Sequence, residues 1–266
     1  MGLFDKKFCD ICGDKIGLLG NRKLDDGNMC KDCAKLLSPW FSDRRRSTLA
    51  DIKAQLAYRE ENKSAVSGFR VTRSLGLGTK VLLDEDAGKF VVSGARRWQD
   101  ENPDVLDFSQ VTGCNIDVQE SKSEEKRKDA EGKMVSYNPP RYTYSYDFYA
   151  VIHVSSPWFD EIRFRINSSS IEVKPTYTPS GSIAIGGFRL QSGGGGSHDP
   201  RQNVEYRECE ALGEEIKQAL IQVRQAVRQN IAAANAPKVA RACPACGATC
   251  VPDAAGRCEY CGAAMQ

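Results

Sequence analysis

The sequence predicts an α+β chain in which two small cysteine-held modules flank a β-rich middle closed by a long helix. Three observations carry this. The cysteines gather at the ends: of 11 in 266 residues, Cys9, Cys12, Cys30 and Cys33 fall early, and Cys243, Cys246, Cys250, Cys258 and Cys261 fall late. The middle alternates apolar and polar residues with period two, the mark of half-buried strands. Residues 204–234 repeat apolar side chains at helical spacing.

Composition narrows the function classes. Hydrophobic residues make up 41% and charged residues 27%, the balance of a globular chain. Mean hydropathy is −0.46 and no apolar run approaches ~18 residues, so no transmembrane segment is expected. The N-terminus lacks the apolar stretch of a signal peptide. The expected location is therefore cytoplasmic, where thiols stay reduced and cysteine clusters bind metal more often than they form disulfides. Lys+Arg is 37 and Asp+Glu is 35, a formal net charge of +2. No segment is strongly polarised, which excludes a broadly basic coat for nucleic acid. Two histidines leave few routes to histidine-based catalysis.

Residues 1–41 form the first module. Cys9, Cys12, Cys30 and Cys33 make two Cys-x-x-Cys pairs with 17 residues between them, the spacing of a tetrahedral four-thiolate zinc site. Gly13 permits the left-handed turn that closes the first pair into a knuckle. Residues 22–30 read as a hairpin delivering the second pair, and residues 31–37 start a short helix. Knuckle, hairpin and helix in that order predict a treble-clef-like module.

Residues 42–66 are a linking helix. Over 43–63, Asp43 or Ser47 caps it, and Leu49, Ile52, Leu56 and Ala57 form its apolar stripe. Arg44, Arg45 and Arg46 would sit in the first turn, the end the helix dipole disfavours for cations. They are either a solvated charge run or an anion-binding patch.

The β-rich domain spans 67–234. Residues 80–84 and 89–93 flank a Glu-Asp-Ala-Gly turn, a hairpin. Residues 105–109 and 111–118 are further strands. The charged segment 121–133 reads as a mobile loop. Residues 142–154 alternate throughout, with Tyr142, Tyr144, Tyr146, Phe148, Ala150, Ile152 and Val154 on one face. Residues 161–166 turn Ile162, Phe164 and Ile166 inward, and 171–173 extend the sheet. Residues 176–202, rich in Pro, Gly and Ser and containing a GGGGS string, read as a flexible loop. Helix 204–234 carries Cys209, Leu212, Ile216, Leu220, Val223, Val227 and Ile231 on one stripe. Core packing is its main use, and self-association through it is the alternative.

Residues 238–266 are the last module. Cys243, Cys246, Cys258 and Cys261 form two Cys-x-x-Cys-Gly knuckles with 11 residues between the pairs, the pattern of a zinc ribbon. Cys250 breaks the pairing and is a spare. Cys114 and Cys209 fall on a strand and a helix stripe, where a thiol packs as a small hydrophobe. Four thiolates close a zinc shell and leave no activated water, so both expected Zn2+ ions are structural. Redox chemistry calls for one exposed dithiol at a helix N-terminus, which the two matched sets do not resemble. The Gly-Leu-Gly-Thr-Lys run at 76–80 lacks the full phosphate-loop spacing and precedes a strand, so it reads as a tight turn. Arg96, Arg97 and Trp98 read as a loop over the sheet.

The string CDICGDKIGLLGNRKLDDGNMCKDCAKLLSPWF over 9–41 resembles the opening domain of a bacterial family of unknown function, common in Gram-positive genomes. DFYAVIHVSSPWFDEIRFRIN at 147–167 also looks familial. The family implies zinc for Cys9, Cys12, Cys30 and Cys33. VLLDEDAGKFVVS and VLDFSQVTGCNIDV are similar to strands of bacterial pleckstrin-homology (PH)-like domains. That likeness implies an antiparallel barrel or sandwich closed by the long helix, with a long loop before it.

With no catalytic constellation in view, the expected function is a non-enzymatic zinc-binding interaction protein with a protein partner. Nucleic-acid binding through the zinc modules, with Arg44, Arg45, Arg46, Lys6, Lys7, Arg22, Lys23 and Lys31 tracking phosphates, is the first alternative and is disfavoured by charge. A membrane-surface lipid-binding module, by analogy of fold alone, is the second.

Overall fold

The computed structural model describes residues 7–177, 182–185, 188–191, 196–235, 240–253 and 256–265. The chain divides into two compact units, Met1–Arg224 and Gln225–Gln266.

In the first unit, β1 (Arg22–Lys23) pairs with β2 (Asn28–Met29), and α1 (Lys31–Ala34) follows at once. Residues Asp43–Arg46 make a separate 3-10 turn before α2 (Leu49–Gly68). The cap is neither Asp43 nor Ser47. Thr48 Oγ1 accepts from the Asp51 N–H at 3.2 Å while the Asp51 carboxylate accepts from the Thr48 N–H at 2.9 Å, a reciprocal capping box. The three arginines therefore lie outside the α-helix, and the dipole conflict does not arise.

The buried face of α2 is Ile52, Gln55, Arg59, Asn62 and Val66. Its spacing is helical but its middle is polar, so an apolar stripe ends at Leu56 while burial continues. The reason is a polar seam. Arg59 donates to Asp104 at 3.0 Å, with the two side chains 7% and 0% exposed. Ser38 Oγ donates to the same carboxylate at 2.7 Å. Arg59 Nε also donates to the Leu36 carbonyl at 3.3 Å. Asn62 donates to the Pro103 carbonyl at 2.8 Å and accepts from the Val105 N–H at 3.0 Å. Arg59, Asp104 and Asn62 thus each have partners, the usual condition for burying such groups, whereas the Gln55 amide is buried without one.

The strands form two four-stranded antiparallel sheets. The first runs β3 (Arg73–Leu75), β4 (Lys80–Asp84), β5 (Lys89–Ser93), β6 (Leu106–Asp107). Its register sets Val81 opposite Val92 and Leu83 opposite Phe90 on one face, and Leu82 opposite Val91 on the other. All six are buried, so the central hairpin is covered on both sides. Phe69 and Trp98 pack edge to face at 5.5 Å in the cluster over Leu82 and Val91, which places the Arg-Arg-Trp loop on the sheet as expected. The expected strand 105–109 is shorter, because Phe108–Gln110 turns into a 3-10 helix. Gly76, at φ +110°, makes the tight turn between β3 and β4, where a Cβ would meet the Thr79 carbonyl oxygen.

The second sheet is built on β7 (Val111–Lys128) and β8 (Met134–Val154). β9 (Glu161–Arg165) and β10 (Ile171–Val173) share the free edge of β8, along residues 149–153 and 144–146 respectively. Asn167 bridges the change of partner: its amide oxygen accepts from the Phe148 N–H at 2.8 Å and its NH2 donates to the Tyr146 carbonyl at 3.2 Å. Tyr146, Phe148, Ala150, Ile152 and Val154 are buried as the alternation predicts, as are Ile162, Phe164 and Ile166.

The charged segment 121–133 is a loop only at 129–133, the turn between the two strands. β7 continues to Lys128 and pairs with β8 up to Met134, with a bulge at Glu125/Lys126. Beyond β10 the ladder has two strands, so both faces meet water and no apolar alternation is needed. Cross-strand contacts hold it instead, with Lys122 over the Tyr142 ring at 3.8 Å and Thr143 Oγ1 donating to Glu125 at 2.9 Å.

Segment 176–202 carries short ladders where a flexible loop was expected. β11 (Thr176–Tyr177) pairs with β14 (Gly196–Ser197), and β12 (Ser182–Ile185) pairs with β13 (Phe188–Gln191). Most of the GGGGS string lies outside the described residues.

Helix α3 (Val204–Asn235) packs its first half on the second sheet. Tyr206 meets Phe148 edge to face at 4.9 Å, and Cys209, Ile216 and Leu220 are buried. Gly213 crosses β7 so closely that a Cβ would lie 3.1 Å from Ile116. Arg73 of β3 pairs with Glu215 at 3.1 Å. The side chains of Val227 and Ile231 lie outside the described residues. The second unit adds one short ladder, β15 (Arg241–Ala242) with β16 (Thr249–Cys250). No helix among the described residues is long and apolar enough to cross a membrane.

Candidate metal centres

The first centre assembles from three local devices. In the knuckle, the Gly13 N–H donates to the Cys9 carbonyl at 2.8 Å with φ +79°, folding Cys12 back beside Cys9. The β1–β2 hairpin returns the chain so that the Cys30 N–H donates to Cys9 Sγ at 3.2 Å. Cys30 then caps α1, accepting from the Cys33 N–H at 3.3 Å. The four Sγ atoms of Cys9, Cys12, Cys30 and Cys33 lie within 4.8 Å of one another.

The second centre uses one device twice. Gly247 N–H donates to the Cys243 carbonyl at 2.9 Å and Gly262 N–H to the Cys258 carbonyl at 2.8 Å, with φ +72° and +70°. Cys243 N–H reaches the Ala248 carbonyl and Cys258 N–H the Ala263 carbonyl, closing matching turns at 2.8 and 2.9 Å. Cys243, Cys246, Cys258 and Cys261 then also lie within 4.8 Å of one another.

Four sulfurs ~2.3 Å from a tetrahedral zinc would sit about 3.8 Å apart. Cys12–Cys30 is 3.8 Å, Cys243–Cys261 3.6 Å and Cys246–Cys258 3.8 Å. No pair is a disulfide. Both sites are thus compatible with one zinc ion each.

Electrostatics favour the thiolate at Cys9 in the first site and at Cys243 and Cys258 in the second, Cys243 through the N–H groups of Cys246 and Ala245. Burial raises the Cys9 thiol, but the N–H groups of Cys12, Cys30 and Ile11 outweigh it and bring it down to about 6. Burial likewise opposes the Cys261 and Tyr260 N–H groups at Cys258, which settles at about 6. Cys33 is pushed up by burial and by the sulfurs around it. Cys261 reaches about 12: the Ala263 N–H pulls it down, and the thiols of Cys246 and Cys243 push it up further. A bound dication reverses that repulsion and holds all four as thiolates.

Cys250 is not among the four. It is buried, with its Sγ 3.5 Å from Cys258 Sγ and 3.6 Å from Met265 Sδ, as part of the module's small core. Cys209 is buried as expected, and Cys114 is half-buried. His153 is exposed and hydrogen-bonds Asn115 at 2.9 Å. His198 stacks on Tyr144 at 3.8 Å.

Residues 7–55 match the family model of a domain of unknown function (DUF4428). The match covers the first centre and the start of α2. No curated protein matches the chain, and neither does any solved structure.

One feature near the first centre escapes the spacing of cysteines. Arg22 and Lys23 of β1 meet Arg44 and Arg45 of the 3-10 turn around a cavity of about 660 Å³, also lined by Asn21, Leu24 and Asp25. The three consecutive arginines were the available signal. Arg22 and Lys23 stand with them among the cations the sequence offers to phosphate, and the cavity that joins the two groups exists only in the fold.

Proposed function

We propose that the chain is a non-enzymatic, cytoplasmic zinc-binding interaction protein, in which a PH-like domain is flanked by two structural zinc modules. The closure of both metal sites carries this reading. Each has four thiol ligands, which fill a tetrahedral zinc and leave no position for an activated water. The PH-like part rests on two four-stranded antiparallel sheets followed by a helix that packs on the second. The membrane-span result is compatible with a cytoplasmic location, and the bacterial origin is carried by the sequence resemblance alone.

The test is metal analysis of the purified chain followed by affinity capture from the native host. Two zinc ions per chain and a partner lost on chelation support the proposal. A zinc-replete chain that captures no specific partner, or that turns over a substrate in a zinc-dependent way, overturns it.

A further inference from the structure

The turn between the first knuckle and β1 holds two leucines in water. Leu18 is 91% exposed and Leu19 89%. Gly17 and Gly20 bracket them, and the Gly20 N–H donates to the Gly17 carbonyl at 2.9 Å. Single exposed leucines are ordinary. Two side by side at the apex of a hydrogen-bonded turn form an apolar prong.

Cations flank the prong on two sides. Arg22 donates to the Leu19 carbonyl at 3.2 Å, which fixes a guanidinium at the base of the turn. Arg22 also lines the 660 Å³ cavity with Lys23, Arg44 and Arg45. Arg44 is anchored there by donation to the Lys23 carbonyl at 2.6 Å. Arg46, the last of the three arginines, pairs with Asp43 at 3.6 Å, but Arg22, Lys23, Arg44 and Arg45 have no ion pair among the described residues. Asp25 is the one carboxylate in that lining. On the other flank, Lys15 and Lys31 line a second depression with Leu18 and Leu19. Its acid, Asp32, pairs with Lys35 at 3.0 Å.

We propose that this face of the first module docks on an anionic phospholipid surface, with Leu18 and Leu19 entering the headgroup–acyl boundary and Arg22, Lys23, Arg44 and Arg45 holding headgroup phosphates. An apolar prong flanked by cations is complementary to that interface, which offers hydrocarbon below and negative charge above. A nucleic-acid backbone would meet the cations but offers nothing to two leucines. The inference deepens the binding-protein reading and rests on it, and it places the membrane contact on the zinc module rather than on the sheets.

The experiment is co-sedimentation of the zinc-loaded full chain with vesicles of phosphatidylglycerol and phosphatidylcholine in equal parts, and with phosphatidylcholine alone. Binding is expected to the first and not the second, and to fall as salt rises from ~0.1 to ~1 M. Leu18→Ser with Leu19→Ser should weaken it at least roughly tenfold, and Lys23→Glu with Arg45→Glu roughly 30-fold. Leu18→Ile with Leu19→Ile should keep it. Each variant is checked for zinc content, and Lys23→Gln with Arg45→Gln replaces the charge reversal if zinc is lost. No binding to anionic vesicles, or binding indifferent to both pairs of changes, overturns the proposal. So does leucine-dependent capture of a protein or nucleic acid without vesicle binding, an outcome that leaves the broader interaction reading intact.

Discussion

The first four-cysteine centre is set into a core of Leu24, Met29, Leu37 and Ile52, whereas the core of the second is Cys243, Cys250, Cys258 and Met265. In the first, the cysteines lean on apolar side chains and on a helix that continues into the rest of its unit. In the second, thiols are most of what is buried. Coordination is the same chemistry in both, but the share of folding it must supply differs. A module of this size cannot be held by apolar burial alone. That share is what metal removal or mutation measures.

The largest expected effect is on the second module. Cys258→Ser, or chelation, should abolish hydrogen-exchange protection across 240–265, since structural zinc contributes apparent free energies of ~10–16 kcal/mol in small modules. Cys30→Ser should release the first ion and weaken, without abolishing, protection of Ile52 to Val66 of α2, because the seam also ties that stretch to Asp104 and Pro103. Equal loss in both modules would break the comparison.

Next comes the seam itself. Arg59→Ala leaves the Asp104 carboxylate buried and uncompensated, and should cost about 3–5 kcal/mol in urea melts. Arg59→Met with Asp104→Leu should recover much of that cost. If the double variant is as damaged as the single one, the seam is held by its hydrogen bonds to Ser38 and the backbone rather than by charge.

A smaller effect concerns the first sheet. The Asp84 carboxylate is 1% exposed and accepts from the N–H groups of Arg70 and Ala87 at 2.8 and 3.0 Å. Burial raises its pKa, and those N–H groups outweigh burial and hold it below 3.8. A lowered folded-state pKa means stability that is complete above the unfolded value and lost as pH falls through the folded one. Asp84→Asn should therefore cost about 1–3 kcal/mol at neutral pH. The gap to the parent chain should close below pH 3.8. A gap that stays constant in acid would show the loss to be steric.

The smallest is the α2 cap, where Thr48→Ala should cost about 1 kcal/mol without altering zinc content. A loss of the first ion in that variant would show the helix start to be part of the metal site.

These elements also separate what the sequence reveals from what it conceals. Both four-cysteine clusters are legible because their parts are local: three of the Cys-x-x-Cys pairs are followed by a Gly that closes its own turn, and the fourth, Cys30 to Cys33, opens α1. The alternation of 142–154 is legible because one face is dry. The ribbon over 121–128 reads as a loop because a two-stranded ladder wet on both faces carries no hydrophobic pattern. Residues 176–202 mislead in the same direction, since Gly and Ser are frequent there in spite of the short ladders. Arg59 and Asn62 are concealed because periodicity scores apolar residues, and their burial depends on Asp104 and Pro103, some forty positions away. Ser47 and Thr48 are equally good caps by type, and the choice is made by Asp51 three residues beyond Thr48.

The polar seam joins Leu36 and Ser38, just past the last ligand of the first centre, to the segment that leads into β6. Coupling of this kind acts in both directions. If metal binding at Cys9, Cys12, Cys30 and Cys33 steadies Asp104, then anything that steadies Asp104 tightens the grip of those thiols on metal by the same factor. A partner seated against the sheet near Pro103 would then register as slower zinc exchange at the first centre. Zinc retention would thus report on an encounter that touches no cysteine.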